Sequence, residues 1–397
     1  MKLTVHEVSK NLSVSPDTIR RWNKKGLIKA TRSSQNYRLF DLKEVTRLYN
    51  KLNLNNTITD NLYKIFIEQD KSNYTGIDLF AGAGGMALGF ENAGLHHLLL
   101  NEIDKNCIAT LRNNFYNTEI IHDDINYICF KQYMNKIDFI QAGFPCQAFS
   151  YVRKSLGFED TRGTLFFEFA RAIKETNPKI AIGENVRGLI NHDEGRTLQT
   201  MIKVLKELGY KVEYRLLKAQ YLDVPQKRER LIILAIRNDL DIDFVFPQEK
   251  DYIVTLKDAL KDCPPSIGME YSERKKKILS LVPEGGYWKD LPEELQKEYM
   301  KVSFYHTGGR TGMARRLAWD EPSLTLTCSP AQKQTERCHP EETRPLNVRE
   351  YARIQTFPDN YKFEGSMHAQ YKQIGNAVPV NLGYHIGLCV RKMLDSI

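Results

Sequence analysis

"YTGIDLFAGAGGMALGFENAG", residues 74–94, is the stretch on which the fold depends. Ile77, Leu79 and Phe80 form an apolar run that ends in a loop of small residues, Ala81 to Gly85. The segment that follows has helical spacing and stops at Gly94. Strand, glycine turn and helix in immediate succession make the opening unit of a wound α/β sheet. Within the loop, Gly82-x-Gly84-x-x-Ala87 satisfies the dinucleotide fingerprint, and Glu102 stands twenty residues beyond Gly82 at the end of the next apolar run. An acid at that place holds ribose hydroxyls. Any adenosine-type cofactor wants the same glycines and the same acid, so the loop alone leaves NAD and S-adenosylmethionine open.

Working outward, the same rhythm continues to Arg237. "HLLLNEI" is a strand, "DKNCIATLRNNF" a helix, "KIDFIQAG" a strand, "TLFFEFARAIKETN" a helix and "PKIAIGEN" a strand. "GRTLQTMIKVLKELG" is a further helix, and "RERLIILAIR" closes the set. Apolar strands joined by crossover helices predict a doubly wound, mostly parallel sheet, with ligands bound beyond the carboxyl ends of the strands. Asp124, in "HDDIN", supplies a carboxylate at one such end. After Arg237 the chain turns irregular and proline-rich, with basic clusters such as "ERKKK". The expected organisation is therefore a catalytic and cofactor-binding domain at 74–237, completed by 368–397, and a smaller irregular domain at 238–367.

The 397 residues carry a net charge of +8, and its distribution is uneven. Residues 1–50 hold eleven Lys/Arg against four Asp/Glu, whereas the remainder holds 46 against 45. A basic head on a nearly neutral body is the footprint of a nucleic-acid-binding module. "TVHEVSKNL" has helical spacing, and "SPDTIRRWNKKG" offers Ser15 as N-cap, Pro16 at the first helical position and Gly26 as stop. "LIKATRSSQNYRLF" then reads as two short strands around a polar tip. On "VSPDTIRRWNKKGLI", "NYRLF" and "DLKEV", this head resembles the MerR-type winged helix-turn-helix over residues 1–50. The resemblance implies Arg20, Arg21 and Lys24 facing a major groove and Arg38 touching backbone. Residues 51–73 are expected to be a linker.

Seven cysteines without a C-x-x-C suggest neither a disulfide framework nor a metal site. No apolar run reaches the roughly 18–20 residues needed to cross a bilayer, and the start lacks the apolar core of a secretion signal. A cytoplasmic protein without membrane partners is expected.

One cysteine stands apart. "GFPCQAFS", 143–150, places Cys146 in a turn directly beyond a buried strand. A dehydrogenase has no need of a thiol there. Methylation of carbon 5 of cytosine does, because that carbon is too weak a nucleophile until a thiolate adds at carbon 6. The displaced electrons need an acid at ring nitrogen 3 and positive charge near the ring oxygen. "GENV" supplies Glu184 and Asn185 at the next strand end, and "QKRER" supplies Arg228 and Arg230.

With these blocks in order, and with "RPLNVREYARIQTFPD" at 344–359 and "QIGNAVPVNLG" at 373–383, the chain resembles the DNA (cytosine-5)-methyltransferases across 76–397. The resemblance implies Cys146 as nucleophile, Glu184 as the acid at nitrogen 3, and Arg230 with Arg228 at the ring oxygen and the Cys146 loop. It implies S-adenosylmethionine as cofactor, in a pocket lined by Phe80, Gly82, Gly84, Glu102, Ile103, Asp124, Ile125, Pro145, Leu165, Asn376 and Ala377. Ile103 stands where relatives often carry an aromatic residue, so apolar contact replaces stacking on adenine.

A cytosine inside a duplex hides carbon 6, so the nucleotide must be flipped into the pocket. The glycine-punctuated stretch from Cys146 to Gly163 is expected to close over it, with Gln147 and Ser150 filling the vacated space. Sequence choice is expected in the smaller domain, where Arg315 and Arg316 offer groove contacts. Thr325 and Thr327 there resemble the Thr-Leu-Thr tag of target-recognition domains. The expected partner is double-stranded DNA, with promoter DNA for the head and a functional pairing with a restriction endonuclease. Two alternatives remain at this point: a NAD-dependent oxidoreductase, and a DNA-binding regulator with an inactive methyltransferase body. The recognition sequence and the oligomeric state are not legible.

Overall fold

A computed structural model describes residues 2–12, 14–24, 28–33, 37–41, 45, 62–145, 165–306 and 310–397. The head begins with β1 (Lys2–Thr4), α1 (Val5–Leu12) and α2 (Pro16–Lys24), followed by β2 (Ala30–Arg32) and β3 (Arg38–Asp41). Its three strands form an antiparallel sheet in the order β1-β3-β2. Leu3, Val8, Ile19, Trp22, Ile28 and Phe40 are buried as its own small core. Ser15 caps α2, its Oγ accepting the Thr18 N–H at 3.2 Å. The described part of the expected linker, from residue 62, is fastened to the body. Tyr63 donates to the Arg353 carbonyl, Asn381 donates to the Lys64 carbonyl, and Arg391 pairs with Asp70.

The catalytic body contains β4 (Thr75–Leu79), α3 (Gly85–Asn92), β5 (His96–Glu102), α4 (Lys105–Arg112), β6 (Glu119–His122) and β7 (Phe139–Ala142). After these come α5 (Leu165–Thr176), β8 (Ile180–Val186), α6 (Arg196–Glu207), β9 (Tyr210–Lys218), β10 (Gln226–Lys227) and β11 (Glu229–Arg237). Seven of the strands make one sheet in the order β6-β5-β4-β7-β8-β11-β9. The first five are mutually parallel. The chain winds from β4 through β5 to β6, then returns to β7 and β8, so the switch point lies between β4 and β7. That crevice is where an open α/β sheet binds its ligand.

One expectation needs correction: "RERLIILAIR" is not a parallel strand. β11 runs antiparallel to both β8 and β9. Only ten residues separate Lys218 from Glu229, fewer than the dozen or more that a parallel crossover requires.

Apolar clusters cover both faces of the sheet. Ile77, Leu79 and Ile140 meet Phe166 and Phe169 of α5 on one face. On the other, Phe90 of α3 packs with Ile182, Ile232 and the C-terminal segment. That second face needs the last helices of the chain. The remaining helices are α7 (Leu256–Leu260), α8 (Glu273–Leu279), α9 (Glu293–Met300), α10 (Val348–Ile354), α11 (Met367–Asn376) and α12 (Val380–Leu394), with strand β12 (Ser323–Leu324) after α9. α12 lies against α3 so closely that a Cβ on Gly89 would stand 2.4 Å from the Val380 carbonyl oxygen.

The irregular segment has its own core of Tyr271, Leu279, Trp288, Tyr299, Met313 and Cys338. Residues 346–363, within the 238–367 span, share a different cluster with Ala83, Ala87 and Phe115 of the catalytic body. The two-residue parallel pairing of β10 with β12 joins the segment to the catalytic strands. No helix among the described residues is long and apolar enough to cross a membrane.

Candidate active site

The glycine loop leaves β4 in a conformation that few side chains tolerate. Phe80, Gly82 and Gly84 have φ of 59°, 56° and 77°. Gly84 is also sterically bound to be glycine, because a Cβ there would meet the Phe115 ring at 2.6 Å. Beside Gly82, by contrast, nothing lies within 4 Å of a Cβ position, so the loop is open. Glu102, at the end of β5, accepts from the Gly82 N–H at 2.8 Å through Oε2 and from Ile103 and Asp104 through Oε1. An ionised carboxylate offers about four acceptor directions, so one remains for a hydroxyl. Asp124, beyond β6, accepts from the Asn126 N–H at 3.0 Å. Ile125 is buried behind it, its carbonyl held by Arg171 at 2.7 Å, and Ile103 is largely exposed.

Cys146, Gln147 and Ser150 lie outside the described residues, as does the rest of 146–164. The strand end leading to them is well defined. Phe144 is buried and Pro145 exposed. Asn185 donates to the Phe144 carbonyl at 2.8 Å, which fixes the backbone one residue before Pro145. Glu184, on the same strand, approaches from the side: a Cβ on Gly143 would stand 3.3 Å from its Oε2. Its other oxygen, Oε1, meets Nε of Arg230 at 2.6 Å, and both side chains are nearly buried. The register explains the meeting. Arg230 pairs with Val186 and Ile232 with Glu184, so the two side chains share one face of adjacent strands. Leu165, at the far end of the undescribed stretch, packs at the edge of the same core.

Arg228 lines the same cleft as Arg230, and its guanidinium is engaged by backbone. It is 1 % exposed and donates to the carbonyls of Leu326, Gly375 and Asn376 at 3.2–3.4 Å. Burial and the neighbouring Arg230 push its guanidinium well below its ordinary range. Arg228 thus ties the β12 segment to the turn after α11, at the wall of the cleft that it lines together with Arg230. Arg316, expected among the DNA-facing residues, is instead turned into the protein. It is buried, with its guanidinium donating to the carbonyls of Leu279, Val282 and His339. Arg315 is half-buried.

Thr325 donates to the Lys227 carbonyl at 2.7 Å, and Thr327 donates to the Ser329 carbonyl at 3.2 Å. Asn376 is exposed at the end of α11, beside Cys328 at 3.2 Å, and Ala377 is buried. A cleft of about 450 Å³ opens in front of Glu184's strand, lined by Arg187, Lys218, Gln220, Lys227, Arg230 and Thr325. Sequence reasoning missed Lys227 and Arg187. Both were visible as cations flanking the motifs already singled out.

A carboxylate–guanidinium pair, an anchored strand end at Phe144 and an open glycine cradle thus stand at the carboxyl ends of the sheet's strands. Residues 74–392 match the family model described as C-5 cytosine-specific DNA methylase. The chain belongs to that family. Residues 3–53 match the MerR HTH family regulatory protein model.

Among curated relatives, the Type II methyltransferase M.Eco47II of Escherichia coli is 56% identical over 406 residues, covering 100% of this chain and 97% of its own length. M.PspPI of a Psychrobacter species is 57% identical over 340 residues, covering 83% of this chain and 82% of the relative. In the solved structures, a putative DNA modification methyltransferase encoded within an Escherichia coli prophage superposes with a TM-score of 0.60 at 25% identity. That match spans 81% of this chain and all of the other. The protein is a C-5 cytosine DNA methyltransferase of the Type II restriction–modification kind, with a helix-turn-helix at its N-terminus. The oxidoreductase alternative left open by the glycine loop falls with this assignment.

Proposed function

We propose that this methylase transfers a methyl group to carbon 5 of a flipped-out cytosine through a transient bond between that base and Cys146. The observation that carries the reading is the Glu184–Arg230 pair, 2.6 Å apart at the strand end whose Asn185 anchors Phe144. A thiolate adding at carbon 6 pushes electron density toward ring nitrogen 3 and the ring oxygen. Glu184 handles the proton at nitrogen 3, and Arg230 stabilises the developing negative charge. Loss of the carbon 5 hydrogen as a proton then expels the thiolate and restores the aromatic ring.

The glycine cradle fits an adenosine-bearing donor. Gly82 leaves open space, and Glu102 keeps an acceptor for ribose hydroxyls. Phe80, Gly84, Ile103, Asp124, Ile125, Pro145, Leu165, Asn376 and Ala377 would complete that pocket. The methyl group comes from the sulfonium of S-adenosylmethionine, with S-adenosylhomocysteine as product. Gln147 and Ser150 would hold the vacated space in the duplex. Arg315, Thr325 and Thr327 remain in the target-reading segment.

A second role belongs to the head. Arg20, Lys24 and Arg38 are exposed and Arg21 half-buried on the helix-turn-helix, which supports reading of promoter DNA and control of the operon that would also encode a partner endonuclease. Footprinting on the upstream region tests this, and protection equal to that on random DNA rejects it.

The test of the chemistry is an oligonucleotide carrying 5-fluorocytosine, from which the last step cannot remove fluorine. The wild type should form a stable adduct with residue 146, found by mass spectrometry, and Cys146→Ser should form none. Methylation of ordinary DNA by Cys146→Ala, or turnover without a trapped adduct, overturns the mechanism. No methylation by the wild type would favour an inactive body serving a regulator.

A further inference from the structure

The reading end of the helix-turn-helix is occupied by the protein itself. Ser15, the N-cap of α2, donates its backbone N–H to Oδ2 of Asp320 at 2.8 Å and its hydroxyl to Oε1 of Glu321 at 2.5 Å. Thr18, one turn into the helix, donates to the same Asp320 oxygen at 3.4 Å. Glu321 is buried and braced from behind, its Oε2 accepting from Lys227 at 2.8 Å. The acidic pair is therefore held in place by a residue that lines the cleft, and α2 is seated on it.

Helix N-termini attract anions, because their first N–H groups lack partners within the helix and the aligned peptide dipoles favour negative charge. In a helix-turn-helix, that same end of the second helix enters the major groove. Here two carboxylates stand at that end. A duplex placed over the start of α2 would have to displace them, and its phosphates would be repelled by them meanwhile.

The geometry points to an autoinhibitory contact: Asp320 and Glu321 act as an internal stand-in for DNA anions, so the head reads promoter DNA only after α2 leaves them. This rests on the proposal above that the head reads promoter DNA. Docking lowers the apparent affinity for that DNA in proportion to the fraction of molecules in which α2 is free. The contact also ties the two DNA-binding activities together, since the residue that braces Glu321 faces the cleft.

The test uses the full chain with Asp320→Ala and, as the isosteric variant, Asp320→Asn. Neither residue change touches the Glu184–Arg230 pair, so methylation rates should stay within about twofold and confirm folding. Two readouts are needed. Hydrogen exchange of the peptide spanning residues 15–22 should speed up in both variants. Binding to the duplex immediately upstream of the protein's own coding sequence, followed by fluorescence anisotropy, should tighten about fivefold in Asp320→Ala and less in Asp320→Asn.

Unchanged exchange in both variants would mean that α2 is not docked in solution, which overturns the proposal. Faster exchange with unchanged affinity would mean that the contact gates nothing, which overturns it too. If wild type and variants all bind the upstream duplex no better than a scrambled one, the promoter-reading role fails and the inhibition falls with it. The exchange data would still report whether the contact exists.

Discussion

Glu184 is held at Oε1 by Arg230, and its Oε2 lies where a side chain at Gly143 would crowd it. Its position is thus fixed without the substrate, and its charge can be removed without moving its neighbours. Glu184→Gln should lower kcat about 10²-fold or more, the scale of a lost acid–base contribution, while the dissociation constant for S-adenosylmethionine shifts less than threefold. Equilibrium dialysis and single-turnover methylation would check both halves. Deeper in the sheet, Asp78 is fully buried beside Gln141, and its Oδ2 has no partner among the described residues. Burial, with the nearby Glu102 and Glu184 carboxylates, pushes its carboxyl up to about 8 against the pull of Gln141. The folded protein therefore keeps a proton on Asp78 that the unfolded chain loses near 3.8, and stability falls as pH rises between 3.8 and about 8. Asp78→Asn keeps the shape of the neutral form. Its melting temperature should exceed that of the wild type above pH 8 and converge with it near pH 4. A constant difference across that range would show that Asp78 does not titrate there.

At the scale of elements, the wound sheet depends on one close crossing. Gly89 lets α3 approach α12 at the Val380 carbonyl, and Gly387 returns the favour by facing Phe90 and Ala93. Gly89→Ala adds a methyl where a backbone oxygen stands 2.4 Å away, so it should cost about 1–3 kcal/mol despite the better helix propensity of alanine. Urea denaturation of the two proteins would measure it, and equal midpoints would mean that the helices separate freely. This crossing was not legible in the sequence, because a glycine in a helix looks the same whether it faces solvent or a backbone. The apolar strands were legible, since buried parallel strands are continuous hydrophobic runs such as Ile180–Ile182. β6 and β9 escaped for the opposite reason. They are the two edges of the sheet, and β9 carries polar residues through Glu213 to Arg215. The site residues Glu184 and Asn185 could be read because they end a strand. Arg316 could not be told apart from a groove-facing arginine, because the carbonyls that absorb it come from segments distant in the chain.

Across the whole molecule, charge and chemistry are separated. Residues 1–50 carry an excess of seven positive charges, whereas residues 51–397 carry an excess of one, from 46 against 45. Non-specific duplex affinity depends on cations that displace counterions from phosphates, so its salt dependence counts contacts. Arg20, Lys24 and Arg38 are the exposed head cations singled out for DNA, and Arg20 is partly engaged by Asp17 at 2.5 Å. A chain beginning at residue 62 should therefore show a plot of log affinity against log salt that is shallower by about 2–3 than that of the full protein, at 0.9 per phosphate. The cleft, with Lys227, Arg230 and Arg187, stays in the shortened chain, so kcat at saturating target DNA should be retained. An identical slope would place the phosphate contacts on the body alone, and the positive head would then owe its charge to something other than the duplex that the catalytic domain holds. A lost kcat would instead mean that the head supports the cleft through Glu321 and Lys227, the bonds that join them.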